Sequence, residues 1–227
     1  MARRVVLFVF GALLLVIGAL AAIGGGALMA LFGSNNTLSS GVQQVSTPTR
    51  ALVSEAGSIQ GASGAQTAVG SVRLRLTGTP TGAGHLLFLG IGPAGAVDRY
   101  LSGVSHDVAT DVSVAPFHLT LARQGGTAAP PPPGSQSFWV ARASGTHPTL
   151  TWTVTNGSYR VVVMNTDAAA PVAFTGGLAL TIPHSFGIGI GLLIGGIVLI
   201  LIGIVLIVLG ARARPQSQPA PGPAPGS

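Results

Sequence analysis

Two stretches of this chain run without a charged side chain for longer than a water-soluble fold ordinarily tolerates: residues 5–32 near the start and 186–209 near the end. A helix rises about 1.5 Å per residue, so these runs cover roughly 42 Å and 36 Å, against a hydrocarbon thickness of about 30 Å. Backbone in lipid must satisfy its own hydrogen bonds, and a helix does so within one segment. Residues 5–32 and 186–210 are therefore expected to be transmembrane helices. The chain between them suffices for one domain of ordinary size.

A cleaved signal peptide competes with the first helix, because Arg3 and Arg4 form a basic start and Ala19-Leu20-Ala21 imitates a cleavage site. Signal-peptide apolar regions run about 7–15 residues. This one continues to Leu31, so an uncleaved span is expected. The second run ends in Ala211-Arg212-Ala213-Arg214, the pattern of a stop-transfer helix with a basic cytoplasmic flank. The nearest loop-side charges are Arg50 and Asp167. Both termini, 1–4 and 211–227, are thus expected in the cytoplasm and the middle outside the cell membrane. The tail from residue 215 should be disordered; its prolines alternate without a P-x-x-P ligand, so an SH3-type partner is not supported.

Gly11, Gly18 and Gly25 recur every seven residues in the first run, as do Gly189, Gly196, Gly203 and Gly210 in the second. A seven-residue period keeps small residues on one stripe of a left-handed helix pair, where backbones approach closely. These glycines are the candidate helix-packing residues, within one chain or between copies. Gly187-x3-Gly191-x3-Gly195 offers a second, right-handed stripe. The competing explanation is frequency alone, since glycine is common in membrane helices and this chain has 34. No Asp, Glu, Lys, Arg or His lies within either span, and ion paths and proton relays ordinarily need one. Anchors are expected rather than a transporter or pump, with a small oligomeric pore as an alternative.

A formal charge of +6 raises the question of a nucleic-acid partner. Between the spans, however, Arg50, Arg73, Arg75, Arg99, Arg123, Arg142 and Arg160 are scattered among Glu55, Asp98, Asp107, Asp111 and Asp167, and no basic patch forms. No nucleic-acid partner is expected. Every basic residue is arginine, as codon bias in a GC-rich bacterial genome would produce. The chain has no cysteine, which excludes disulfides, thiolate metal sites and cysteine catalysis together.

Residues 33–49 are mostly Ser, Thr, Asn, Gln and Gly without a sustained period and read as a flexible stalk, with the folded domain at 50–183. Val72-Arg73-Leu74-Arg75-Leu76-Thr77 alternates strictly, as a half-exposed strand does, and His85-Leu86-Leu87-Phe88-Leu89 is apolar on both faces, as a central strand is. Further strands are expected within 112–121, 138–141 and 172–182, and a brief helix over 97–104. Asn156-Gly157 separates two β-branched runs, 150–155 and 158–164, and predicts a type I′ hairpin. Residues 124–136, centred on four prolines, should be a stiff exposed loop. About seven short strands and almost no helix predict a β-sandwich, with a small barrel as the alternative.

Several motifs point toward chemistry without completing it. Gly90-Ile91-Gly92-Pro93-Ala94-Gly95 matches the dinucleotide fingerprint, with Asp111 about 20 residues on, but no βαβ pattern follows; a bend between strand and helix is the simpler reading, and no cofactor is expected. Ser105-His106-Asp107 places triad residue types side by side, where they cannot converge. His85, His106, His118, His147 and His184 lack the close pairing of zinc ligands, and Asp98, Asp107 and Asp111 read as cap and loop residues ahead of a calcium site, so no metal is expected. Asn35-Asn36-Thr37 and Asn156-Gly157-Ser158 match the glycosylation pattern, which a bacterial host would leave bare.

The runs Phe88-Leu89-Gly90-Ile91-Gly92-Pro93, Tyr100-Leu101-x2-Val104-x-His106-Asp107 and Gly157-Ser158-Tyr159-Arg160-Val161-Val162-Val163-Met164-Asn165 resemble a group of uncharacterised actinobacterial two-pass membrane proteins with an outside β domain. The likeness spans about residues 70–182 and implies architecture, not activity. Where that group continues with Ala-Asp-Gly-Ser, this chain has Thr166-Asp167-Ala168-Ala169. The expected function is non-enzymatic: a membrane-held envelope protein whose β domain binds a ligand or scaffolds an assembly with itself or another envelope protein. The alternative from another class is an envelope hydrolase using His106 with Asp107 or Asp111.

Overall fold

The computed structural model describes residues 2–60, 70–82, 84–114 and 117–212. They fall into two compact units, one of helices from both ends of the chain (Met1–Ala30 with Phe186–Ser227) and one of strands (Leu31–Ser185). From residue 213 on, the expected tail lies outside the described residues.

The helical unit is α1 (Ala2–Phe32) and the final helix α3 (Ser185–Arg212), both long and apolar enough to cross a membrane. Side chains such as Leu20 and Ile23, 67% and 70% exposed, find no cover among the described residues. Only an apolar surrounding makes that surface inexpensive.

The other unit is mainly β and forms two open sheets. The first comprises β1 (Thr37–Ser39), β2 (Gln43–Thr47), β5 (Arg73–Pro80), β10 (Thr149–Thr153) and β12 (Val172–Thr181). In it β12 pairs with β5 along one edge and with β1 and β2 in succession along the other, while β10 pairs with β5. The second contains β3 (Ala51–Ser54), β4 (Gly57–Ile59), β6 (Leu87–Pro93), β7 (His106–Val114), β8 (Phe117–Gln124), β9 (Ala141–Gly145) and β11 (Gly157–Asn165), in the order β8-β7-β3-β11-β6-β9 with β4 beside β11. β3 and β7 run parallel; the other described pairs are antiparallel. Neither sheet closes, so the small barrel considered as an alternative is not formed.

Hydrophobic patterning explains the layers. Inward-facing Leu76, Leu150 and Phe174 of the first sheet cluster with Leu52, Leu89 and Val163 of the second. The opposite face of the second sheet is covered too. Val53, Val162 and Met164 meet Val97 and Leu101 from a short helix, α2 (Ala94–Tyr100), and its following turn. A sheet buried on both faces needs apolar residues at successive positions, which is why β6 and the end of β11 lack alternation. The first sheet shows it: along β5, Arg73 and Arg75 are exposed while Leu76 is buried.

Three local expectations are corrected. The 33–49 segment supplies β1 and β2 instead of a flexible stalk, because its backbone groups pair with β12, whose opposite edge is already taken by β5. The Asn156-Gly157 hairpin is not formed either: β10 joins the first sheet and β11 the second. A type I′ turn needs two residues at positive φ; Gly157 has φ +142°, whereas Asn156 is not among the positive-φ residues. Here the turn residues carry the chain between layers. The helix expected over 97–104 starts earlier, at Ala94 directly after Pro93, and stops at Tyr100.

Candidate functional site

The most site-like feature of the β unit is an apolar cavity of about 330 Å³ between the two sheets. Leu76, Phe174 and Leu178 line it from the first sheet and Leu89, Ala109 and Val163 from the second. Along β12, Phe174, Gly176 and Leu178 share a face because strand side chains alternate. A Cβ at Gly176 would collide with the Thr77 carbonyl and crowd the Phe174 ring, so the close approach of β5 and that ring leaves room for glycine there. Ala109 is small at the corresponding place on β7.

The polar residues on the wall are already engaged. Ser40 Oγ accepts from the Leu178 amide at 3.0 Å, and Gln43 Nε2 donates to the Ser40 carbonyl at 2.9 Å. Ser54 Oγ accepts from the Val161 amide and donates to the Glu55 carbonyl, each at 2.9 Å. Thr77 Oγ1 reaches the Gly177 carbonyl at 3.4 Å. Among the described residues no Asp, Glu, Arg or His lines the cavity. It opens to the surface, for Val112 at its margin is 44% exposed. Such a space suits an apolar occupant and holds no acid, base or nucleophile aimed at one.

The residues named for hydrolysis are kept apart. His106 and Asp107 are consecutive on β7 and leave opposite faces of the strand. His106 Nδ1 lies 2.8 Å from the Val104 carbonyl and the ring borders a cleft of about 220 Å³ with Asp98, Ser102 and Arg160. Asp107 and Asp111 do not line that cleft. Asp107 is 2% exposed and is held by Arg123 through Nε–Oδ1 at 3.0 Å and Nη2–Oδ2 at 3.3 Å, while Thr47 Oγ1 donates to Oδ2 at 2.5 Å. The hydrogen bonds from Arg123 hold this carboxyl below the usual range, joined by the Thr47 hydroxyl and the nearby positive charge and opposed by burial. Since Thr47 is on β2 and Asp107 on β7, the contact fastens one sheet to the other.

The three aspartates considered for calcium are likewise dispersed: Asp107 pairs with Arg123, Asp98 Oδ1 lies 2.7 Å from Arg160 Nε, and Asp111 is exposed on β7. Among the described residues no group of three or more His, Asp or Glu is placed to hold a metal ion.

Gly90 and Gly92 serve packing. A Cβ at Gly90 would lie 2.8 Å from the Trp139 ring, and one at Gly92 would lie 3.1 Å from Phe138, Trp139 and Val97. The strand is bare there so that aromatic rings can rest on it. β6 pairs antiparallel on both sides, so the dinucleotide context is absent from this strand. Trp139 Nε1 donates to the Pro133 carbonyl and Tyr100 Oη to the Pro131 carbonyl, each at 2.8 Å, which ties the proline-rich loop to the same cluster. Burial pushes the Tyr100 hydroxyl up to about 12. Glycines at i and i+2 in an apolar strand are the sequence signal for such a platform.

Six of the seven heptad glycines face one another in three pairs. A Cβ at Gly11 would lie 2.8 Å from the Gly203 carbonyl, one at Gly18 2.7 Å from that of Gly196, and one at Gly25 2.5 Å from that of Gly189. Gly210 faces Leu7 and Phe8 at 3.4 Å. Gly187, Gly191 and Gly195 have open space at their Cβ positions. The cavity residues had no sequence signature, since each reads as ordinary core.

A scan against protein-family models returns no match, and a search among curated proteins returns none. Neither comparison supplies a function, and the reading of this chain rests on its geometry.

Proposed function

We propose that this chain is a membrane-anchored, non-enzymatic binding protein: a β-sandwich held outside the cell membrane by two helices, both ends of the chain being cytoplasmic. The observation that carries the reading is the apolar cavity with its engaged polar rim, which offers a place to bind and no chemistry to perform. The shared core of the two open sheets supports the sandwich. The arginines at the outer end of each apolar run support the orientation, and the close glycine pairs support anchoring by a packed helix pair. The hydrolase reading draws less support, because His106 and Asp107 diverge and Asp107 is committed to Arg123 and Thr47.

The absence of native cysteine makes orientation directly testable. Single cysteines replace exposed Thr146 in the β unit and Ser217 in the tail. A membrane-impermeant maleimide applied to intact cells is expected to modify Thr146→Cys, and to reach Ser217→Cys only after permeabilisation. The reverse pattern would refute the proposed orientation.

A further inference from the structure

We infer that the inter-sheet cavity takes one hydrocarbon chain of a membrane lipid. The inference rests on the reading of the β unit as a binding module and names what it binds. An occupant of this cavity meets a wall with few hydrogen-bonding groups to offer. The wall is apolar apart from Ser40, Gln43, Ser54 and Thr77, whose side chains are engaged as described. A peptide segment would bring backbone amides and carbonyls that find no partner there, and each would remain desolvated. A sugar or nucleotide would strand more such groups. A saturated chain has none.

Size and access agree. The volume of about 330 Å³ is at the lower end of small-molecule sites, which span about 300–1,000 Å³. It is roughly twice the 150 Å³ in which an engineered apolar cavity admits benzene. Bulk water is a poor occupant, since a buried water needs two to four polar partners. The margin is apolar as well as open: Val112 and Leu119 of the β7–β8 ribbon stand across from Val45 of β2 and Leu178 of β12. β7 continues past Ala109, the last residue that β3 pairs, so this ribbon overhangs its neighbour and leaves the mouth unroofed by that strand. Supply is met by connectivity, because only residues 33–36 and 182–184 separate the strands from the two apolar helices. A lipid chain is the apolar molecule that such a tethered domain meets at highest local concentration.

The test uses the full chain reconstituted in bilayer nanodiscs that contain a trace of phospholipid carrying a diazirine in one acyl chain. After irradiation and digestion, mass spectrometry locates the adducts; peptides of α1 and α3 serve as the internal positive control. Adducts are expected on peptides covering 109–119 and 174–178. They should fall at least tenfold in Ala109→Phe, which fills the cavity, and in Val112→Trp, which blocks its mouth while leaving the interior intact. Circular dichroism reports whether each variant keeps its strands, and the mouth variant keeps the test decisive where the filling variant does not fold. A parallel arm with a diazirine fatty acid separates a bilayer phospholipid from a free acid: labelling by the phospholipid supports the inference, and labelling by the free acid alone overturns it. Adducts confined to the helices would overturn the inference, as would undiminished strand labelling in a folded, blocked variant. If Thr146→Cys is still modified from outside in that case, the binding-module orientation survives and only the ligand assignment fails.

Discussion

Asp107 adds a polar tie between the sheets to their shared apolar core. Its carboxylate accepts from Arg123 on the neighbouring strand and from Thr47 on the other sheet, and Thr47 in turn lies 2.8 Å from the Thr49 hydroxyl. Thr47→Val leaves a buried acceptor one bond short, and a cost of about 1–3 kcal/mol is expected, read from denaturant unfolding followed by tryptophan fluorescence. Asp107→Asn should cost a similar amount, and the double variant should cost less than the sum because both remove one interaction. The pH dependence follows from the lowered pKa. The unfolded chain binds a proton near pH 3.9 and the folded one only below that. The stabilisation is therefore fully present above about pH 4 and is lost as pH falls through the folded value, an acid limb that Asp107→Asn should flatten. Ala168 offers a contrasting case. It is buried with φ +59°, a left-handed conformation that costs a residue with a side chain about 1–2 kcal/mol. Ala168→Gly relieves that strain but gives up a buried methyl worth about 0.8 kcal/mol. A rise in stability of less than about 1 kcal/mol is expected, visible as a small increase in Tm.

At the scale of elements, the helix pair makes an internally controlled prediction. Gly18 and Gly191 are both glycines in apolar helices, yet a side chain at Gly18 would enter the Gly196 backbone and one at Gly191 would enter open space. Gly18→Leu should separate α1 from α3, whereas Gly191→Leu should leave them paired. Cysteines replacing Leu28 and Leu192, which flank the Gly25–Gly189 contact, and a short bifunctional thiol reagent measure the outcome as loss or retention of the intramolecular bridge. Period alone could nominate both glycine stripes and could not rank them, since each satisfies a packing repeat and only the facing helix decides which is used. The hairpin expectation failed for a related reason. Asn-Gly is a strong local turn signal, but β10 finds its partner in β5, and β11 finds three partners in the second sheet. Long ladders outweighed one two-residue turn.

For the molecule as a whole, the two charge-free runs were enough to foresee apolar helices at both ends, and alternation with short apolar runs to foresee strands between them. What they could not convey was the arrangement of the strands. Alternation in β5 announces a half-buried strand because each residue's environment follows from its neighbours two positions away. The segment 33–49 reads as a stalk because its polar residues do not alternate; it becomes β1 and β2 only because β12 has an edge to fill. The cavity is still less legible. Leu89, Val163 and Phe174 are core residues by any local measure, and the gap among them arises from how far two sheets stand apart. Sequence by itself determined which segments are apolar throughout, which alternate, and which chemistries lack their residues, because those properties are local and additive along the chain. Tertiary structure alone decided which strands pair, which glycines touch, where Asp107 finds its partners, and where space is left over, because each depends on residues far apart in sequence meeting across a layer.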